Sequence, residues 1–396
     1  MRKFQALSLS AALLASLLLG GCANNAASSD AASSDSAASE PEATPEPTPA
    51  PPAANPLTGA ADADYTGKRP VAVTLRNMTG STPQWGIASA DVLVEGVTEG
   101  TTASLMALYA NPDSIAKAGP VGPARDLLLQ VALPLNAVPV HIDKNIYASN
   151  LLNTLAYQDL DGYHIGKTAF AFDQDRQNAG YAEENCWYTT AELINSGLAS
   201  YGVSLNGDNT PLFQFGERPA VDPADRSGMN LTITFSPDDI DCLNYDTGTG
   251  LYALSNGDGS PVQDADNGQQ VGFTNVFVFY ASSGIKDDGY TRQYDMTAGT
   301  GLYLHGGAWE RINWTKEDAT GPFAITNEAG ETLVVSQGKS FIAIWGGYYG
   351  QSISLTAADG SAQTLPDKPA LLESGISEEA AAAAEAALLN AQKLID

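Results

Sequence analysis

The residues best placed to do chemistry in this sequence are two glutamates and an arginine. Glu95 and Glu99 lie in or just after an apolar run at residues 92–97, and Arg125 follows the Gly119-Pro120 turn at the start of an apolar helical segment. Two carboxyl groups about 5–10 Å apart are the acid and base of glycoside hydrolysis. Four residues apart on a regular strand, Glu95 and Glu99 would share a face at about 13 Å, too far for that role unless the chain turns at Gly96. The structural alternative is a pair of half-buried carboxylates that accept backbone N–H bonds or pair with Arg125.

Other chemistries find less support. The three histidines, His141, His164 and His305, form no HExxH motif and no Cys/His zinc spacing, so the sequence predicts no metal centre and no cofactor. His141 ends an apolar strand and reads as a hydrogen-bonded core imidazole, while His164 stands in a polar loop. Ser-x-x-Lys occurs at Ser114, Ser283 and Ser336 without the motifs that accompany it in penicillin-binding enzymes, and there is no Gly-x-Ser-x-Gly elbow. The segment 162–168, GYHIGKT, is one residue short of a phosphate loop. Asp258, Asp264, Asp266 and Asn267 crowd one segment but miss the calcium-loop spacing, which leaves a solvated turn. Trp309, Trp314, Trp345, Tyr348 and Tyr349 suit either stacking on sugars or a partner, or the core of a small β domain.

Around these residues the chain is strongly acidic, with a formal charge of −27. That balance argues against nucleic acid as a partner, since such binding draws on Lys and Arg at phosphates. Arg2 and Lys3 precede an apolar run at residues 6–19 that ends in Leu19-Gly20-Gly21-Cys22. A basic start, a short apolar stretch and small residues before a cysteine form a bacterial lipoprotein signal, so residues 1–21 read as a leader and Cys22 as the lipidated N-terminus. Residues 22–54 are mostly Ala, Ser, Pro and acids, too poor in apolar side chains to fold, and read as a tether. These features predict a membrane-anchored protein facing the extracytoplasmic side of a Gram-positive-type envelope. There Cys186 and Cys242 are either one disulfide or two thiols.

Strand-like and helical runs alternate over residues 55–205, which predicts an N-terminal α/β domain with a mixed sheet covered by helices. Helices are expected near 125–135, 145–157 and 189–199. Residues 206–228, rich in Gly, Pro and Asp, read as a linker. Short β-type runs follow over residues 229–348, with a hairpin turn at His305-Gly306-Gly307, and predict a mainly antiparallel β domain. The remainder, 349–396, ends in an Ala-rich helix capped by Ser377.

Several short motifs in this order resemble one family: NPLTG at 55–59, RPVAV at 69–73, Pro83-Gln84, the series Asp91, Glu95, Glu99-Gly100, Gly119-Pro120-Val121 with Ala124-Arg125, Thr274-Asn275-Val276 and Gly299-Thr300-Gly301. The chain is similar to the YerB-like lipoproteins, bacterial proteins with paired N- and C-terminal domains of unknown function. The family pattern has Asp-Asn-His where Arg76-Asn77-Met78 stand, Arg at Thr82, Ser104 and Gly122, and His at Glu184 and Val262. This chain is therefore a divergent member in which much of the family's ionisable set is replaced. The resemblance keeps Glu95, Glu99, Arg125, Asp173, Arg176, Asn185 and Asp264 as candidate binding or catalytic residues. The reading that follows is a non-catalytic envelope lipoprotein that binds a ligand or partner, such as a cell-wall component or another envelope protein, in a cleft around Glu95, Glu99 and Arg125. The alternative is a hydrolase of peptidoglycan or a related polymer using Glu95 or Glu99.

Overall fold

The computed structural model describes residues 54–372, apart from 62, 219–220, 223–225 and 349. Cys22, the leader, most of the tether and the Ala-rich terminal helix lie outside the described residues. In chain order the strands that matter here are β1 (Val71–Leu75), β2 (Val92–Glu99), β3 (Thr102–Tyr109), β4 (Val138–His141), β5 (Leu160–Asp161), β6 (Asn230–Ser236), β7 (Asp239–Asp246) and β8 (Leu251–Asn256). They continue with β9 (Gly272–Phe273), β10 (Asn275–Tyr280), β11 (Ala298–His305), β12 (Ala308–Thr315), β13 (Ala324–Asn327), β14 (Ser340–Trp345) and β15 (Ser352–Thr356). The helices used below are α1 (Asp126–Ala132), α2 (Ile146–Thr154), α3 (Gln174–Asn178) and α4 (Ala191–Tyr201).

Ten of these strands form one mixed sheet in the order β13-β12-β11-β10-β14-β2-β3-β1-β4-β5. The N-terminal half supplies one side and the C-terminal half the other, and the seam is a parallel pairing of β2 with β14 that sets Glu95 opposite Ala343. β14 is also parallel to β10, so it is hydrogen-bonded on both edges. Its sequence, SFIAIW, is buried at every position, the continuous apolar run expected of a strand covered on both faces. The C-terminal strands β10 to β13 are otherwise antiparallel. The fold is thus an α/β N-terminal part and a mainly antiparallel C-terminal part.

A second, five-stranded antiparallel sheet, β9-β8-β7-β6-β15, lies against one face of the large sheet. Leu231, Ile233, Phe235, Leu243 and Leu254 from it share a core with Leu93, Val97, Leu105, Val276, Val278 and Phe341. The opposite face buries Val92, Val94, Phe277 and Ile342 against Leu127, Leu128 and Val131 of α1. Helix starts follow local capping: the Asn145 side chain accepts from Ala148 N ahead of α2, and Thr190 accepts from Leu193 N ahead of α4. Cys186 and Cys242 are both free thiols. Trp309, Trp314, Trp345 and Tyr348 are all buried, so these rings pack the core and are not a stacking surface.

Candidate functional site

Alternation along β2 turns Leu93, Glu95 and Val97 toward the five-stranded sheet, while Gly96 faces α1, where an added Cβ would lie 3.0 Å from Leu127 Cδ2. Across from Glu95, alternation along β7 buries Asp241 and Leu243 and brings Asp239 to the same place. One oxygen from each of Glu95, Asp239 and Asp241 lies within 4.8 Å of the others. Glu95 and Asp241 are buried, at 3% and 7% exposure. Together the three carboxylates sit in a cavity of about 570 Å³ between the two sheets.

The wall opposite the strands is the loop after β1. Asn77 Nδ2 donates to Glu95 Oε1 at 2.6 Å, and Gln84 Nε2 donates to Asn77 Oδ1 at 2.8 Å, which fixes the orientation of the Asn77 amide. Asp239 Oδ2 and Asp241 Oδ2 have no hydrogen-bond partner. Burial raises the Glu95 carboxyl well above the usual range, and the nearby Asp241 and Asp239 charges add to it. Asp239 is raised by burial and then by Asp241, and Asp241 by burial. Asp238 and Asp258 also line the cavity, and among the described residues no Lys, Arg or His does. Burial therefore keeps part of the cluster protonated near neutral pH, and a positive charge entering the cavity would displace those protons and be held by the carboxylates it frees.

Of the seven candidate residues from the sequence, Glu95 faces this cavity and the other six are engaged elsewhere. A bulge between Val97 and Glu99 breaks the alternation that would put the two glutamates on one face. Glu99 instead takes Arg125 side-on, Nε to Oε1 at 2.6 Å. Asp173 pairs with Lys117 at 2.6 Å and caps α3 through Arg176 N. Arg176 is buried, donates to Ser81 O and to Pro83 O (2.9 Å), and lies over the Trp85 and Tyr181 rings at 4.2 Å each. Asn185 Nδ2 donates to Gly80 O at 3.0 Å. Both residues therefore pin the loop that forms the cavity wall. Asp264 accepts from Gly86 N and Ala88 N, tying the segment beside Gln263 to the N-terminal half. The expected cleft around Glu95, Glu99 and Arg125 is corrected to one around Glu95, Asp239 and Asp241.

Sequence reading missed Asp239, Asp241, Asn77 and Gln84. The available signal was the run DIDCLNY, in which two acids and a leucine alternate with residues facing the other way. A second acidic group, His141, Asp159 and Asp161, also comes together, but Lys144 Nζ reaches both aspartates at 2.9 Å and already supplies them with a cationic partner.

Residues 57–204 match the family described as "Protein of unknown function (DUF3048) N-terminal domain", and residues 231–342 match its C-terminal domain. The chain belongs to this DUF3048 family. Over 274 residues, 65% of this chain and 78% of the relative, it is 27% identical to the "Putative lipoprotein YerB" of Bacillus subtilis (strain 168). The crystal structure of YerB protein from Bacillus subtilis has the same fold, with a TM-score of 0.67 and 24% identity over 76% of this chain and 99% of that one. Met78, Thr82 and Val262 also line the cavity. No helix among the described residues is long and apolar enough to cross a membrane.

Proposed function

We propose that this protein is a lipid-anchored, extracytoplasmic binding protein whose cavity takes a positively charged ligand. One observation carries the reading: three converging carboxylates, two of them with an unpartnered oxygen, in a cavity that no basic side chain lines among the described residues. A buried charge cluster without partners costs stability, so its presence fits a site that a ligand completes. The hydrolase alternative loses its acid pair, because Glu99 is held by Arg125 away from Glu95. The anchor rests on the signal before Cys22 and on the naming of the relative as a lipoprotein. Cys22→Ser is expected to move the protein from the membrane fraction to the culture medium, read by fractionation and immunoblot. For the cavity, equilibrium binding of mature protein to diamines and amine-bearing wall fragments is expected to weaken about tenfold or more in Glu95→Gln. Binding that ignores Glu95→Gln and Asp241→Asn alike would refute the cavity as the site.

A further inference from the structure

The three carboxylates come from two different sheets, yet one oxygen of each meets the others within 4.8 Å. Any three atoms within 4.8 Å of one another share a point no more than about 2.8 Å from each, and calcium–oxygen bonds run at about 2.3–2.6 Å. Magnesium and zinc, at about 2.0–2.2 Å, would need the group to contract. The three converging side chains offer only carboxylate oxygens, and although the Met78 thioether lines the cavity, no thiol or imidazole does among the described residues, which favours a hard, oxygen-seeking ion. An independent sign of a missing partner is Asp241: over nine-tenths buried, it lines the cavity with Oδ2 unbonded, and Asp239 Oδ2 is equally unsatisfied.

Resting on the cationic-ligand reading above, we infer that Glu95, Asp239 and Asp241 form a binding site for a calcium-sized divalent cation. Two positive charges offset three carboxylates better than one ammonium does, and a metal ion satisfies every unbonded oxygen at once. Asn77 holds Glu95 Oε1 at 2.6 Å, which leaves Oε2 to turn toward the ion. Three protein oxygens fill fewer than half of the roughly 6–8 positions calcium takes, so the rest open into the cavity, to water or to an oxygen donor of a second molecule.

The test is calorimetric titration of chelator-stripped mature protein with CaCl2, and separately with MgCl2 and putrescine. A chain of charge −27 collects cations loosely, so Glu217→Gln, at an exposed position outside the cavity, is the control. The expected result is one calcium per chain with Kd below about 1 mM, unchanged in Glu217→Gln and weakened about 100-fold in Asp241→Asn. Glu95→Gln, which keeps the acceptor for Asn77, supplies the second variant if Asp241→Asn does not fold. Absence of saturable calcium binding up to roughly 10 mM, or binding unchanged in both cavity variants, would overturn the inference. Putrescine binding that depends on the carboxylates, without calcium binding, would overturn the metal site and leave the cationic-ligand reading standing. Failure of both titrants would remove both.

Discussion

Replacing Asp241 by Asn is expected to stabilise the metal-stripped protein, the reverse of what removing a buried polar group from a satisfied network does. Two charges within 4.8 Å of one another repel by at least about 3 kcal/mol at an effective dielectric constant of about 20. Proton uptake by the cluster relieves part of that, which leaves a net gain on the order of 1–2 kcal/mol for removing one charge. The substitution forfeits no hydrogen bond at Oδ2, which has none, and the new amide can donate to Glu95 or Asp239. For a chain of this size the gain raises Tm by roughly 2–4 °C. Differential scanning calorimetry in EDTA at pH 7.5, then in excess CaCl2, reads the effect. With calcium present the order should invert, because ligand binding stabilises only the wild type appreciably. A variant that melts below wild type in EDTA would show that the three carboxylates are a satisfied structural group and would refute the argument.

Further predictions concern the frame around the cavity. Arg176→Ala removes two hydrogen bonds to the Ser81 and Pro83 carbonyls, the first of them buried, and two aromatic contacts, and should cost about 3 kcal/mol in urea unfolding. Arg176→Lys should recover little of that, since an ammonium lacks the planar fork. Gly299→Ala would set a Cβ 2.2 Å from Tyr280 O and 2.5 Å from the Trp314 ring; strand displacement should lower stability by about 3 kcal/mol or prevent soluble expression. Burial alone would raise the Asp159 carboxyl, but hydrogen bonds and charge from His141 and Lys144 outweigh it and bring it to about 2. The group therefore stabilises the fold above its unfolded value near 3.8, and that contribution fades as pH falls from about 4 toward 2. The side chain is partly solvated, which limits the contribution to on the order of 1 kcal/mol. Urea midpoints between pH 5 and pH 2 should slope less in Asp159→Asn.

Local signals carried well from sequence to structure. Asn145 and Thr190 announce α2 and α4 because a cap acts within three residues of itself. The hairpin at Gly306-Gly307 is equally local, with both glycines at positive φ, +62° and +77°. Glu95 stood out because a charge within an apolar strand is costly unless something answers it. Its partners did not, because Asp239 and Asp241 lie in a run that, read alone, resembles a solvated strand edge. Their burial comes from the sheet they face. The pairing of β2 with β14 was hidden for the same reason: an apolar strand carries no mark of which distant segment will lie beside it. A one-residue bulge after Val97 likewise undid an inference that regular alternation made reasonable for Glu99.

The central place of β14 bears on how the molecule is made. This strand, contributed near the end of the described chain, lies between β2 and β10, so a nascent polypeptide holds both of those edges open until residues 340–345 arrive. Open apolar edges recruit other strands, and pairings this distant in sequence form slowly. Truncation ahead of Ser340 would therefore yield a fragment with two open, sticky edges and no usable half-protein, and folding of this chain should depend on folding helpers more than its modest size suggests.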